Sequence, residues 1–198
     1  PIKELAEDKK NSMRTGPFGS NLLHSEFVEH GIAVLGIDNA VNNSFEWKER
    51  RYITKEKYET LKNYTVFSRD VIITIMGTTG RSAVIPSDIP LSINTKHLAC
   101  ITLNQRKANP YFISYSIHSH PYLLQQIKTK NKGAIMDGLN LTIVKDLKTP
   151  LPPIELQNQF EDVINSSKKK REVLSKSLIE LEYMYKSVMQ YALSGELF

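Results

Sequence analysis

Thr149-Pro150-Leu151-Pro152-Pro153-Ile154-Glu155-Leu156-Gln157-Asn158-Gln159-Phe160 decides how the chain is organised. No proline follows it, and the only later glycine is Gly195. Such a run permits one long helix. Its apolar positions are periodic: Phe160, Ile164, then Ser167 and Arg171, then Leu174, Leu178, Leu181, Tyr185, Val188 and Ala192. The spacings alternate four and three, which is a heptad seam with two polar interruptions. The helix would extend about 55–60 Å at about 1.5 Å per residue. Pro152 and Pro153 suit its first turn, where a missing N–H costs nothing. Glu155 lies where a carboxylate favours the positive end of the helix dipole. Gly195 is the expected stop.

A seam this narrow calls for a partner helix, in the same chain or another. Phe160, Ile164, Leu174, Leu178, Leu181, Tyr185 and Val188 are the candidate dimerisation residues. Ser167 and Arg171 would then help to fix register. The simpler alternative is an amphipathic helix packed on its own domain; the strict repeat and the length favour pairing. The reading divides the chain into a globular part, residues 1–149, and a spacer and dimerisation helix, residues 150–198. The first part is long enough for a real core.

Composition is globular, with 40% hydrophobic and 24% charged residues among 198. No apolar run approaches the roughly 18 residues a membrane span needs. The opening P-I-K-E-L-A-E-D-K-K lacks the apolar stretch of a signal peptide. The single Cys100 excludes an internal disulfide framework and a cysteine-based zinc site. A cytoplasmic protein is the expectation. Net charge is +5 and unevenly spread. Residues 1–149 hold twenty Lys/Arg against fourteen Asp/Glu, whereas residues 150–198 hold six against seven. A basic globule beside a nearly neutral helix points to a polyanion, weakly when taken alone.

Along the globule the pattern is that of many short strands with a few helices, an α+β class. A short helix is expected over 2–10, a turn cluster over Arg14–Ser20, and a buried strand at Ile32–Ile37. A polar loop at 38–44 leads to the basic and aromatic stretch Phe45-Glu46-Trp47-Lys48-Glu49-Arg50-Arg51-Tyr52. Thr54 reads as a helix cap. Val71–Met76 is the clearest strand; it turns at Gly77-Thr78-Thr79-Gly80-Arg81-Ser82 and resumes at Ala83–Ile85. Further strands are read at Leu91–Asn94 and His97–Leu103. Asn109-Pro110 starts a helix, and Pro121 breaks or restarts it. Lys128–Gly133 reads as a basic loop, and Gly138–Val144 as a strand.

Catalytic constellations are hard to defend. The Gly77–Ser82 stretch has two residues between its glycines and Arg81 before Ser82, so it fails the phosphate-loop spacing and reads as a tight turn. Asn109-Pro110-Tyr111 matches part of an amino-methyltransferase N-P-P-Y loop, but the second proline is missing, and no early cofactor turn of the G-x-G type accompanies it. His118 and His120 are two apart and would point in different directions on a helix, a poor metal pair. Cys100, within H-L-A-C-I-T-L, reads as a small core residue. The residues argue for binding rather than catalysis.

Four stretches, taken together, resemble a known family. They are T-G-P-F-G-S-N-L at 15–22, I-M-G-T-T-G-R-S-A-V at 75–84, G-A-I-M-D-G-L-N-L at 133–141, and P-L-P-P-I-E-L-Q-N-Q-F at 150–160 with A-L-S-G-E-L at 192–197. In order and spacing the chain resembles half of a specificity subunit of Type I restriction–modification enzymes: one target-recognition domain followed by one spacer helix. Residues 37–69 carry none of these motifs, as expected where recognition domains diverge to read different bases.

The resemblance implies a fold, a role and partners. The fold would be a mixed-strand recognition domain followed by a long C-terminal coiled-coil helix. The subunit would do no chemistry, would bind no cofactor and would hold no metal. It would read one half of a split double-stranded DNA target. The helix would pair with a second recognition unit, or with a copy of itself, and would dock methyltransferase subunits that use S-adenosylmethionine to methylate adenine. A restriction and motor subunit using ATP and Mg would join for cleavage. The chain would be a natural half-length subunit or a piece of a longer one. Candidate DNA-binding residues are Trp47, Lys48, Arg50, Arg51, Lys128, Lys130, Asn131 and Lys132. Basic side chains position a protein on phosphates, and Arg and Asn can read guanine and adenine edges. The alternatives are a recognition module excised from a fused methyltransferase–nuclease, and a dimerising interaction protein that binds no nucleic acid.

Overall fold

The computed structural model describes residues 1–131 and 138–195, with Asn131 described in its backbone only. The strands in chain order are β1 (Met13–Thr15), β2 (Ile32–Leu35) and β3 (Tyr52–Ile53). Helix α1 (Lys55–Leu61) follows, then β4 (Thr65–Val66), β5 (Val71–Thr74), β6 (Ser82–Val84), β7 (Ser92–Asn94) and β8 (Leu98–Ile101). Helices α2 (Pro110–Ser119), α3 (Pro121–Asn131), α4 (Leu141–Asp146) and α5 (Ile154–Ser194) complete the described chain. The chain falls into two compact units, Pro1–Asn158 and Gln159–Phe198. The first turn of α5 therefore belongs to the globular unit.

Two four-stranded sheets make the frame. One is antiparallel throughout, in the order β1-β8-β5-β6. The other, β3-β2-β7-β4, pairs β2 with β7 in parallel and the remaining neighbours antiparallel. β5 is buried on both faces, which is why its sequence is a continuous apolar run rather than an alternation. Val71 and Ile73 face a core shared with Ile113, Ile117 and Leu123 of α2 and α3 and Val144 of α4. Ile72 faces the opposite way, into a second core with Leu35, Val66, Ala83, Leu98 and Cys100. A third cluster, Val34, Ile53, Leu61 and Ile93, lies on the second sheet under α1. The layers are thus helices, sheet, sheet and helix, with each apolar face covered by the next element. Each fully buried isoleucine in them contributes about 1.5–3 kcal/mol.

Local chemistry accounts for the helix starts. Thr54 accepts from the Lys57 amide, and Asn109 accepts from the amides of Tyr111 and Phe112 ahead of Pro110 at the first helical position. The segment read as a strand at Gly138–Val144 is instead helical from Leu141. The Asn140 side chain accepts from the Ile143 amide and caps α4. The apolar run was too short for its period to separate strand from helix, and the cap decides it. Of the basic loop expected at 128–133, residues 128–131 are instead the end of α3, and residues 132 and 133 lie outside the described residues. The helix expected over 2–10 is a single 3₁₀ turn at Ile2–Glu4, after which Ala6 bridges to Leu103. Arg14 and Thr15, read as a turn, lie in β1. Gly16 ends that strand against backbone: a Cβ there would stand 2.1 Å from the Asn94 carbonyl oxygen.

α5 is one continuous helix of 41 residues, about 60 Å long at 1.5 Å per residue. Gly195 follows it at φ +77°. Its heptad residues Leu174, Leu178, Leu181, Tyr185 and Val188 are 68%, 58%, 61%, 67% and 54% exposed. Phe160 and Ile164 are half-buried. Within the globular unit, Gln157 is fully buried; its carbonyl accepts from the Asn109 amide at 2.9 Å and its amide donates to the Pro152 carbonyl at 2.8 Å. The start of α5 is in this way tied to the start of α2. Among the described residues no helix is long and apolar enough to cross a membrane.

Candidate nucleic-acid interface

Strand direction gathers one set of loops at one end of both sheets. β1, β2, β5 and β7 all finish there, and β6 and β8 begin there. Three backbone bonds join these ends: Gly16 N–H to the Thr95 carbonyl, Thr95 N–H to that of Leu35, and Ile75 N–H to that of His97. The segments brought together are 16–21, 36–51, 76–81 and 95–97. Loops at the ends of a rigid frame are where binding residues concentrate.

The 36–51 loop is held to the frame by its own polar groups. Asn39 accepts from the Gly36 amide and donates to the Glu46 carbonyl, both at 2.8 Å. Arg51 pairs with Asp38 and lies 3.9 Å from Glu49. Trp47 packs against the second core and meets Phe45 edge-on at 5.2 Å between ring centres. The Arg50 guanidinium lies over the Trp47 ring at 5.3 Å. Lys48 is exposed, 3.4 Å from Glu46. Trp47 thus serves as a wall that carries Arg50, and Arg51 is already engaged by carboxylates.

The β5–β6 turn stands between this loop and α3. A Cβ on Gly77 would lie 3.6 Å from Ile37, and one on Gly80 would lie 3.8 Å from Ile127. Lys128 and Lys130 follow Ile127 on α3 and are exposed. The side chain of Asn131 and all of Lys132 lie outside the described residues. The turn therefore joins the 36–51 loop to α3 through Ile37 and Ile127, and Lys130 lies close enough to Asp146 of α4 for its charge, after the pairing with Lys3, to help to hold that carboxyl's pKa down.

The local field is positive. Burial and then the charges of Lys96 and Arg51 hold His97 below the usual histidine range. Burial and then Arg81 push His118 down to about 4. Its Nδ1 lies 3.1 Å from the Ser82 hydroxyl, which donates to the Ser114 carbonyl at 2.7 Å. Arg81 and Lys96 were not singled out in the sequence; both are exposed and form no ion pair among the described residues. The available signal was an arginine closing a glycine-bounded turn. Among the described residues no His, Cys, Asp and Glu cluster of three or more could hold a metal ion.

A family model, Type I restriction modification DNA specificity domain, matches residues 23–183. The chain belongs to this family. The specificity-domain match takes in the motifs at 75–84, 133–141 and 150–160. Among curated specificity subunits, the chain is 25% identical over 164 residues to the putative type I restriction enzyme MjaX specificity subunit of Methanocaldococcus jannaschii, covering 74% of this chain and 37% of that protein. It is 24% identical over 174 residues to the type I restriction enzyme EcoBI specificity subunit of Escherichia coli, covering 86% and 36%. The specificity-domain fold recurs in solved structures. One is the HsdS subunit from Thermoanaerobacter tengcongensis, with a TM-score of 0.58, 17% identity and coverage of 83% of this chain and 42% of that one. Another is a chain solved in work on the complex assembly and conformational transition of the type I R-M system, with a TM-score of 0.62, 14% identity and coverage of 93% and 44%. The chain spans about two-fifths of the length of these relatives.

Proposed function

We propose that this chain reads one half of a bipartite double-stranded DNA target and presents it to the methyltransferase subunits of a Type I restriction–modification enzyme. Membership of the DNA specificity-domain family carries the reading. The basic globule and the positive loop end support it. Trp47, Lys48, Arg50, Arg51, Lys128, Lys130, Asn131 and Lys132 are the proposed DNA-binding residues, with cations on phosphates and Arg and Asn at base edges, and with Arg51, paired to Asp38, bracing the loop. Arg50 is the strongest of these for base contact, because the Trp47 ring beneath it limits its freedom. The exposed heptad seam of α5 supports pairing with a second recognition unit or a second copy. The chain itself would catalyse nothing and bind no cofactor. S-adenosylmethionine, ATP and Mg would act in the methyltransferase and motor subunits.

Selection from randomised duplex DNA tests this. The purified chain is expected to enrich one short half-site motif, and Arg50→Ala to relax the preference at one position. A pool that stays random after repeated rounds contradicts the reading.

A further inference from the structure

The turn between β5 and β6 has a use that its failed resemblance to a nucleotide phosphate loop conceals. Gly77 and Gly80 both take left-handed conformations, at φ +72° and +80°. The turn is locked from inside: Gly80 N–H donates to the Thr74 carbonyl at 2.9 Å, and Arg81 N–H donates to the Thr74 hydroxyl at 3.0 Å. That hydroxyl in turn donates to the Thr78 carbonyl. Beneath it, the Ser82–Ser114–His118 cluster fixes the strand that follows.

The backbone N–H groups of Met76, Gly77, Thr78 and Thr79 are the part left over. They donate to no group among the described residues. Gly77 and Thr78 are exposed, and so is Arg81, which has no ion-pair partner among the described residues. Successive free amides in a turn that includes left-handed residues form an anion-binding concavity. An arginine supplies planar, charge-assisted donors to a phosphate. The turn also packs against Ile37 of the 36–51 loop on one side and Ile127 of α3 on the other.

We propose that the Gly77–Arg81 turn is a phosphate anchor, in which the free amides and Arg81 hold a backbone phosphate of duplex DNA. This rests on the DNA-recognition reading above and adds a contact that carries no sequence information. A locked turn offering main-chain donors suits a group that is the same at every base pair.

The test is fluorescence anisotropy of the whole chain with four labelled mixed-sequence duplexes of different base composition, over a series of KCl concentrations. Arg81→Ala is expected to weaken binding about five- to tenfold at low salt, equally on all four, and to reduce the slope of log K against log salt by about 1. Arg81→Lys keeps the slope. Arg106→Ala, an exposed arginine in the turn that follows β8 at the opposite end of that sheet, leaves affinity and slope unchanged. If the unaltered chain binds and Arg81→Ala binds identically, the anchor is refuted while the DNA reading stands. A loss confined to one duplex overturns the phosphate assignment in favour of a base contact. An unaltered chain without salt-dependent binding removes the DNA reading and the anchor together.

Discussion

His118 sits half-buried, with its ring 4.8 Å from that of Tyr115 and its Nδ1 against Ser82. Its folded pKa of about 4 lies below the 6.5 of an unperturbed histidine, through burial first and Arg81 second. The unfolded chain therefore binds more protons than the folded one between these values. Stability contributed by this group is complete above about pH 6.5 and is lost as the pH falls toward 4. An NMR titration is expected to find His118 neutral at pH 5.5, and Arg81→Ala to move its midpoint upward. A midpoint near 6.5 in the unaltered chain would contradict the packing described here. Other side chains at this scale were invisible in the sequence. Arg14 stood among turn residues, yet it is only 6% exposed and pairs with Asp70, which is 1% exposed. Its partner lies 56 residues away, and no local pattern reports such a pair. Arg51 was legible as a cation but not as one neutralised by Asp38. Cys100 was legible as a core residue because its neighbours are apolar; burial pushes its thiol pKa well up.

Helices with a strong period or a clear cap were legible; short apolar runs were not. α5 follows from its proline, its missing breakers and its heptads, and α2 from Asn109-Pro110. α4 was misread because Leu141–Val144 is four apolar or β-branched residues, and the decisive Asn140 cap was overlooked. The link from Gln157 to α2 could not be foreseen either, since a buried glutamine gives no periodic signal. The exposed seam carries a prediction of its own. Leu178→Glu combined with Leu181→Glu is expected to convert a dimer into a monomer in sedimentation velocity, weakening association at least tenfold, since two apolar knobs become charges. Thermal unfolding of the globular unit should be unchanged. A chain that sediments identically before and after the substitutions does not associate through this seam.

For the molecule as a whole, the α+β class was readable, but the pairing was not. β2 runs parallel to β7 across nearly sixty residues of intervening chain, and β1 pairs with β8 across more than eighty. Such register is set by which apolar faces must meet, and that becomes fixed only in the assembled core. The charge division was readable at once and agrees with a basic recognition globule beside a near-neutral helix. The structure adds the convergence: the 36–51 loop and the 76–81 turn lie about one end of two sheets, with Ile127 of α3 against Gly80. On the function proposed above, a single such end on a chain spanning two-fifths of its relatives would read one half-site, and a split target would need two.

The most direct measurement is a methylation map. The chain is co-expressed with the methyltransferase subunit that the proposed function assigns to it, in a host without adenine modification, and modified adenines are located by single-molecule sequencing. With a second copy as the partner unit, the account predicts a split motif whose two halves are inverted copies, produced by two recognition globules joined through α5. A genome without modified adenines, or a modified motif that is a single uninterrupted block, would contradict it.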